Sequence, residues 1–306
     1  MVRLILFTVF VVIIVTCLYV TSIYAAGITK QQVERAINGV RKGDYQFYDE
    51  LVSKDAKNLL PYLTSYVRDS NPDVKIAIID CARRVQNKES ITLLISMLAD
   101  KDADVSERVA SAIFSDFKPA LLCTANTEIL INNLQSHLQI NENSGISIIL
   151  LAQCKKDKAI IKYLNKYRVE HKDFSTRIEL WHPKASLSVS CDIALAELGD
   201  ADAMKRYQNT LKNGKVENLI YTLYSVRWIS RKEMLFGLLQ MLRDNRNALP
   251  GGPSGTNVYQ RICDISLENL LARANIPLKT IAEEKINYSA RELNAAINKL
   301  GKLWKK

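Results

Sequence analysis

The sequence predicts an all-α protein, an α-solenoid of antiparallel helix pairs, on three observations. Glycine and proline are scarce, at 11 and 7 among 306 residues, which suits helices joined by short turns better than a sandwich or a doubly wound sheet. Apolar residues recur at i, i+4, i+7 along most of the chain, the period of an amphipathic helix. A helix-turn-helix segment also returns 31 residues after its first occurrence, and repetition at such a period is the mark of stacked units that bury their faces against one another.

The first residues stand apart. Arg3 is the last charge before Lys30, and Leu4 to Val20 is an almost unbroken apolar run, followed by Thr21 to Ala26 with Ile23 and Ala25 set for cleavage after Ala25. A charged start, an apolar core and a small exit residue describe a secretory signal peptide, while a run of about 20 apolar residues can also serve as a retained anchor. Residues 1–25 are therefore expected to be a leader or a membrane anchor. On either reading the remainder is exported, to the periplasm, the cell envelope or the extracellular space. The only membrane contact expected is through this segment when it is uncleaved.

Helices follow in series. Thr29 and Gln32 form a capping box ahead of Val33, Ile37 and Val40. Leu59, Leu60, Leu63 and Val67 then stripe a helix, a turn follows at Asp69 to Asp73, and Pro72 sits where a second helix begins. Val74, Ile78, Cys81 and Val85 stripe that second helix. In the next copy Leu60 aligns with Ile91, Leu63 with Leu94, Val67 with Leu98, and Asp73-Val74 with Asp104-Val105. Further pairs are Glu128–Leu138 with Gly145–Cys154, Ala159–Tyr167 with Leu187–Leu198, Ala203–Leu211 with Val216–Trp228, and Lys232–Leu242 with Tyr259–Ala272. Two longer joints, Tyr167 to Lys184 and Arg243 to Asn257, interrupt the series. Ser289 and Glu292 cap a last amphipathic helix carrying Leu293, Ile297, Leu300 and Trp304. The expected division is a helical array over 27–276 and C-terminal capping helices over 277–306.

The first two pairs resemble HEAT repeats, a family of helix pairs with a proline early in the first helix, an Asp at the turn, and a Val followed by a basic residue entering the second. Pro61, Asp69, Val74 and Lys75 meet that pattern. The next copy keeps Asp100 and Val105 but has Thr92 and Ser106 at the other two positions. The resemblance implies a HEAT-like α-solenoid with an extended docking surface, in which the other pairs are degenerate copies.

The octamers CDIALAEL from Cys191 and CDISLENL from Cys263 invite a catalytic or metal-binding reading that their spacing refuses. Cys191 and Cys263 each begin an i, i+4, i+7 apolar stripe, and Cys81 in the same kind of stripe is replaced by Ala112 one repeat later. A slot that accepts Cys or Ala is a small core position. Successive cysteines are at least 31 residues apart, so no zinc cluster or C-x-x-C pair exists. Five cysteines follow the leader, which leaves one bridge open in an oxidising compartment, and spacing selects no pair. Asp192 and Asp264 are expected to bond inter-helix turns.

No catalytic constellation is found. His137, His171 and His182 lack a second ligand at helical spacing, and the acidic run Asp100 to Asp104 lacks the glycine and terminal glutamate of a calcium loop. No metal or cofactor is expected. The net charge is +10, from 42 Lys and Arg against 32 Asp and Glu. This bias permits anionic partners but selects none, since solvated lysine-rich faces give the same number. One feature stands out on the surface: Lys155, Lys158, Lys162 and Lys166 form a basic ridge on one helix, with Trp181 on the adjoining joint. These five residues are the candidate partner-binding set. The expected function is a non-enzymatic scaffold or adaptor for another, acidic protein. A HEAT-like DNA glycosylase would use Asp192 with Trp181 and Trp228, but an export signal opposes a genomic substrate. An envelope immunity or accessory protein that neutralises one enzyme is a narrower form of the binding reading.

Overall fold

The computed structural model describes residues 28–124, 126–154, 158–176, 183–250, 259–281 and 286–305. The leader or anchor expected at 1–25 lies outside the described residues. Within them the chain forms 15 α-helices and two short antiparallel ribbons, and no helix is long and apolar enough to cross a membrane. It divides between Val85 and Gln86 into two compact units.

In the first unit, helix α1 spans Lys30–Val40, α2 Gln46–Leu63 and α3 Pro72–Val85, and each packs on the other two. The Thr29/Gln32 capping box is present at the start of α1. Helix α2 kinks at Asp55 (φ −163°, ψ 69°). There the carboxylate accepts the Asn58 N–H at 3.2 Å and restarts the helix. Pro61 accordingly lies near the end of α2, beyond that kink, rather than early in a helix as the HEAT pattern implies. Leu59, Leu63, Val74, Ile78 and Cys81 are wholly buried between α2 and α3.

The turn between α2 and α3 is held by side chains. Asp69 accepts the Asn71 N–H at 2.9 Å, and Asn71 accepts the Asp73 N–H at 2.7 Å. Arg41 reaches Asp69 at 2.6 Å. Burial alone would raise the Asp69 carboxyl, but its bonds to Arg41 and to the Asn71 N–H outweigh that and hold it below the ordinary carboxylate range. A folded pKa below the unfolded one gives stability that is fully present above the unfolded value and is lost as pH falls through the folded value. Asp69→Asn should therefore cost stability at neutral pH, by up to about 1 kcal/mol for a pair with so exposed an arginine. The gap to wild type should close in acid, as read by denaturant unfolding of both proteins between pH 7 and pH 2.

The second unit opens with α4, Lys88–Met97, and α5, Ala103–Asp116. Their turn repeats the earlier one at the same offset: Asp100 accepts the Asp102 N–H at 2.9 Å, and Asp102 accepts the Asp104 N–H at 3.0 Å. The repeat thus extends to hydrogen-bond geometry, because a short Asp or Asn side chain two residues back is what a tight turn into a helix N-terminus needs. A four-residue helix α6, Pro119–Leu122, leads to α7, Thr127–Ile140, and α8, Gly145–Leu151. Next come α9, Lys158–Glu170, and α10, Leu187–Leu198, separated by the ribbon β1, Ser175–Thr176, with β2, Ala185–Ser186. Then follow α11, Ala201–Asn213, α12, Val216–Tyr224, and α13, Lys232–Leu238. A second ribbon, β3, Asn247–Pro250, with β4, Tyr259–Arg261, precedes α14, Ile262–Arg273, and α15, Ala290–Trp304.

Packing runs between neighbours. The second helix of each pair meets the second of the next: α5 on α8, α8 on α10, α10 on α12 and α12 on α14. Among the first helices, α4 packs on α7, α11 on α13, and α13 on α15. Helices α8 and α10 are buried on almost every side, as a helix between others must be. Their close approach needs Gly145, since a Cβ there would collide with the Ser190 and Tyr221 hydroxyls. The Gly145 N–H donates to Thr176 Oγ1 at 3.0 Å, and Asn218 accepts the Ser186 N–H at 3.0 Å, so the β1–β2 ribbon is pinned to α8 and α12. The terminal helix α15 carries the expected Ser289/Glu292 capping box and buries Leu293, Ala296, Leu300 and Trp304. Ile297, expected on that face, is only partly covered.

Candidate docking surface on helix α9

Helix α9 has one face for the core and one for solvent. Ile160, Leu164 and Tyr167 are buried against α10, and Ile161 is half-buried. Lys158, Lys162 and Lys166 succeed one another at i, i+4 and i+8 on the opposite side, and all three are exposed. Lys166 lies 3.6 Å from Glu170, a solvent-exposed i, i+4 pair of little energetic weight. Glu170 is the only acid on the helix, which also carries Arg168. Lys155 and Trp181, the other two members of the set read from sequence, lie outside the described residues.

Arg168 points away from the lysine row. It grips Asp192 of α10 with two bonds, Nε to Oδ1 at 2.8 Å and Nη2 to Oδ2 at 3.3 Å. Arg206 of α11 reaches the same Oδ1 at 2.7 Å. The Asp192 side chain is 7% exposed and those of the arginines 28% and 33%. One carboxylate between two guanidiniums leaves a net positive charge at the surface, on the flank of the helix that bears the lysines. Reading the sequence for a ridge at helical spacing misses both arginines. Arg168 is off the ridge, and nothing local relates it to Arg206. An open polar depression lined in part by Lys172, Lys184, Asn209, Lys215 and Asn218 lies where the chain leaves α9 for the ribbon.

The other acids of interest are structural. Asp264 accepts the Tyr288 N–H at 2.9 Å and so holds the turn before α15, as expected. It also takes the Arg261 side chain at 2.8 Å. Asp192 differs from the expectation: its partners are two arginine side chains from the helices beside it rather than a turn. Glu197 accepts the N–H groups of Ser230 and Arg231 at 3.1 and 3.3 Å and caps the start of α13. His137 is buried with Nε2 3.1 Å from Glu107. His171 stacks on Tyr167 with ring centroids 4.0 Å apart and accounts for the aromatic lining at the end of α9.

The cysteine reading holds for the three stripe positions. Cys81, Cys191 and Cys263 are fully buried. Burial pushes the Cys81 and Cys191 thiols up to about 12 and that of Cys263 up to about 11, so they stay protonated and behave as small apolar groups. Among the described residues no group of three or more His, Cys, Asp or Glu side chains could hold a metal ion. Comparison of the chain with models of protein families, with curated proteins and with solved structures finds no match.

Proposed function

We propose that the chain is an exported, non-enzymatic docking module, a HEAT-like α-solenoid that binds an acidic surface on another protein through helix α9. The observation that carries this reading is the exposed row Lys158, Lys162 and Lys166, flanked by the net positive Arg168–Asp192–Arg206 cluster. Neighbour-to-neighbour packing of successive helices and the repeated acidic turn support the solenoid assignment. Lysines on a rigid helix favour a protein partner whose carboxylates repeat at a matching rise, because fixed charges on both sides lose little entropy on pairing. Asp192, the acid that a glycosylase would need, is engaged by two arginines, which favours binding over base excision.

The test is co-purification of the tagged full chain from its native host, beside a variant with Lys158→Glu, Lys162→Glu and Lys166→Glu. The expected result is a stoichiometric acidic protein that the wild type retains and the variant loses. Binding should weaken as salt rises. The variant should unfold within about 0.5 kcal/mol of wild type, as exposed substitutions generally do. Mass spectrometry of the same sample reads whether the N-terminus begins near Ala26. Salt-sensitive nucleic acid in the eluate, with an intact N-terminus and no protein partner, would overturn the proposal.

A further inference from the structure

Where the chain leaves α9 it builds an open depression of about 800 Å³. The β1–β2 ribbon forms one wall, and the end of α11 with the start of α12 forms the other. Backbone bonds tie down both. On the ribbon side the Phe174 N–H donates to His171 O at 3.0 Å and the Leu187 N–H to Phe174 O at 2.9 Å. Opposite, the Gly214 N–H donates to Thr210 O at 2.8 Å, and Arg246 Nη1 braces Gly214 O at 2.9 Å. Size and fixed walls suit a small ligand.

The amides of the lining are oriented by the fold. Asn218 Oδ1 accepts the Ser186 N–H at 3.0 Å, and Asn209 Oδ1 accepts from Asn213 Nδ2 at 2.8 Å. Each bond commits the amide oxygen and leaves the NH2 group as a donor for a ligand. Lys172, Lys184 and Lys215 reach the same space from three segments: after α9, before β2 and at the N-cap of α12. All three are exposed. Asp173 and Glu217 line it too, so three ammonium groups face two carboxylates and one positive charge is left over. Phe174 supplies an apolar surface, 40% exposed, with its ring at 89° to that of His171.

We propose that this depression binds an acidic saccharide, a sugar ring that carries one carboxylate among several hydroxyls. The lysines and the two amide NH2 groups donate to the carboxylate and to hydroxyl oxygens, charge-assisted where both sides are ionised. Asp173 and Glu217 accept hydroxyl protons, and Phe174 covers the apolar C–H face of the ring. A multiply charged anion would be repelled by the two carboxylates, and a neutral sugar would leave the surplus positive charge unanswered. None of the α9 lysines takes part, so the site is independent of the docking reading.

Saturation-transfer NMR on the full chain, with sodium glucuronate, glucose and inorganic phosphate as probes, tests this. The ring protons of glucuronate should receive magnetisation, those of glucose much less, and equimolar phosphate should not displace the glucuronate. Lys172→Gln, Lys184→Gln and Lys215→Gln together should weaken glucuronate about tenfold, the worth of one charge-assisted hydrogen bond. Asn218→Asp should weaken it as well, because it keeps the acceptor for the Ser186 N–H but replaces the NH2 donor with an oxygen. The Lys158→Glu, Lys162→Glu, Lys166→Glu variant should bind glucuronate like wild type. Equal transfer to glucose, displacement by phosphate or no transfer at all would overturn the proposal, as would unchanged binding in the Lys172, Lys184 and Lys215 variant. If Asn218→Asp fails to fold, that variant of three exposed lysines decides the matter alone.

Discussion

Asp264→Ala is expected to destabilise the second unit by about 3–5 kcal/mol, the cost of removing one partner of a buried ion pair and leaving the other charged. Asp264 is 0% exposed. Its Oδ2 accepts from Arg261 N at 3.0 Å and Nε at 2.8 Å, and its Oδ1 from Arg261 Nη2 at 2.8 Å and Tyr288 N at 2.9 Å. A single carboxylate thus closes the N-terminus of α14, neutralises a guanidinium and anchors the turn that delivers α15. Truncation removes the acceptor of the Tyr288 N–H and the counter-charge of Arg261, whose side chain is only 26% exposed, and a lost buried acceptor carries a desolvation penalty. Asp264→Asn, which keeps an acceptor but loses the charge, should cost less. Adding Arg261→Met to Asp264→Ala should recover only part of the loss, because the Tyr288 N–H has still lost its Asp264 acceptor. Chemical denaturation of the four proteins, analysed as a double-mutant cycle, checks this. A loss below about 1 kcal/mol for Asp264→Ala would mean that the site is wetter than its burial implies.

Trp228→Ala should be comparably severe, at about 3–5 kcal/mol. The side chain is 1% exposed and is the largest of the fully buried residues. It lies in a 3-10 turn, Val226–Trp228, after α12. Through that turn three distant parts of the second unit meet, since Arg227 also donates to Ser115 O and Gln153 donates to Trp228 O. Trp228→Phe would keep an aromatic ring against Phe114 but leave Phe114 O without its indole donor, for an expected loss of about 1–3 kcal/mol. The ordering Ala, then Phe, then wild type in midpoint denaturant concentration is the readout. An equal loss for Ala and Phe would assign the stability to the hydrogen bond rather than to the buried volume.

Much of the helical framework was legible in the residues because its signals are local. The caps at Thr29 and Ser289 act over three positions, and apolar stripes act over one or two turns. The repeat was legible too, and reaches into the paired turns at Asp69 and Asp100. Where the local reading erred, tertiary or kink geometry decided. Pro61 meets the HEAT pattern by type, yet α2 begins at Gln46 and ends at Leu63, which leaves Pro61 near the helix end. Ile297 has the right spacing for burial, but Ala296 takes the covered position on α15.

The candidate site divides in the same way. Spacing on a single helix is enough to align Lys158, Lys162 and Lys166, because side chains four apart share a face. It could not link Arg168 to Asp192, 24 residues on, or Arg206 to the same carboxylate across 14 residues. Nor could it bring Trp228 to Phe114 across 114 residues. The sequence by itself determined helix class, helix order, the repeated turn and the small buried cysteine slots, because each depends on groups within a few residues. Only the tertiary structure decided which charges neutralise one another and which ring meets which carbonyl, because those contacts form between helices far apart in the sequence.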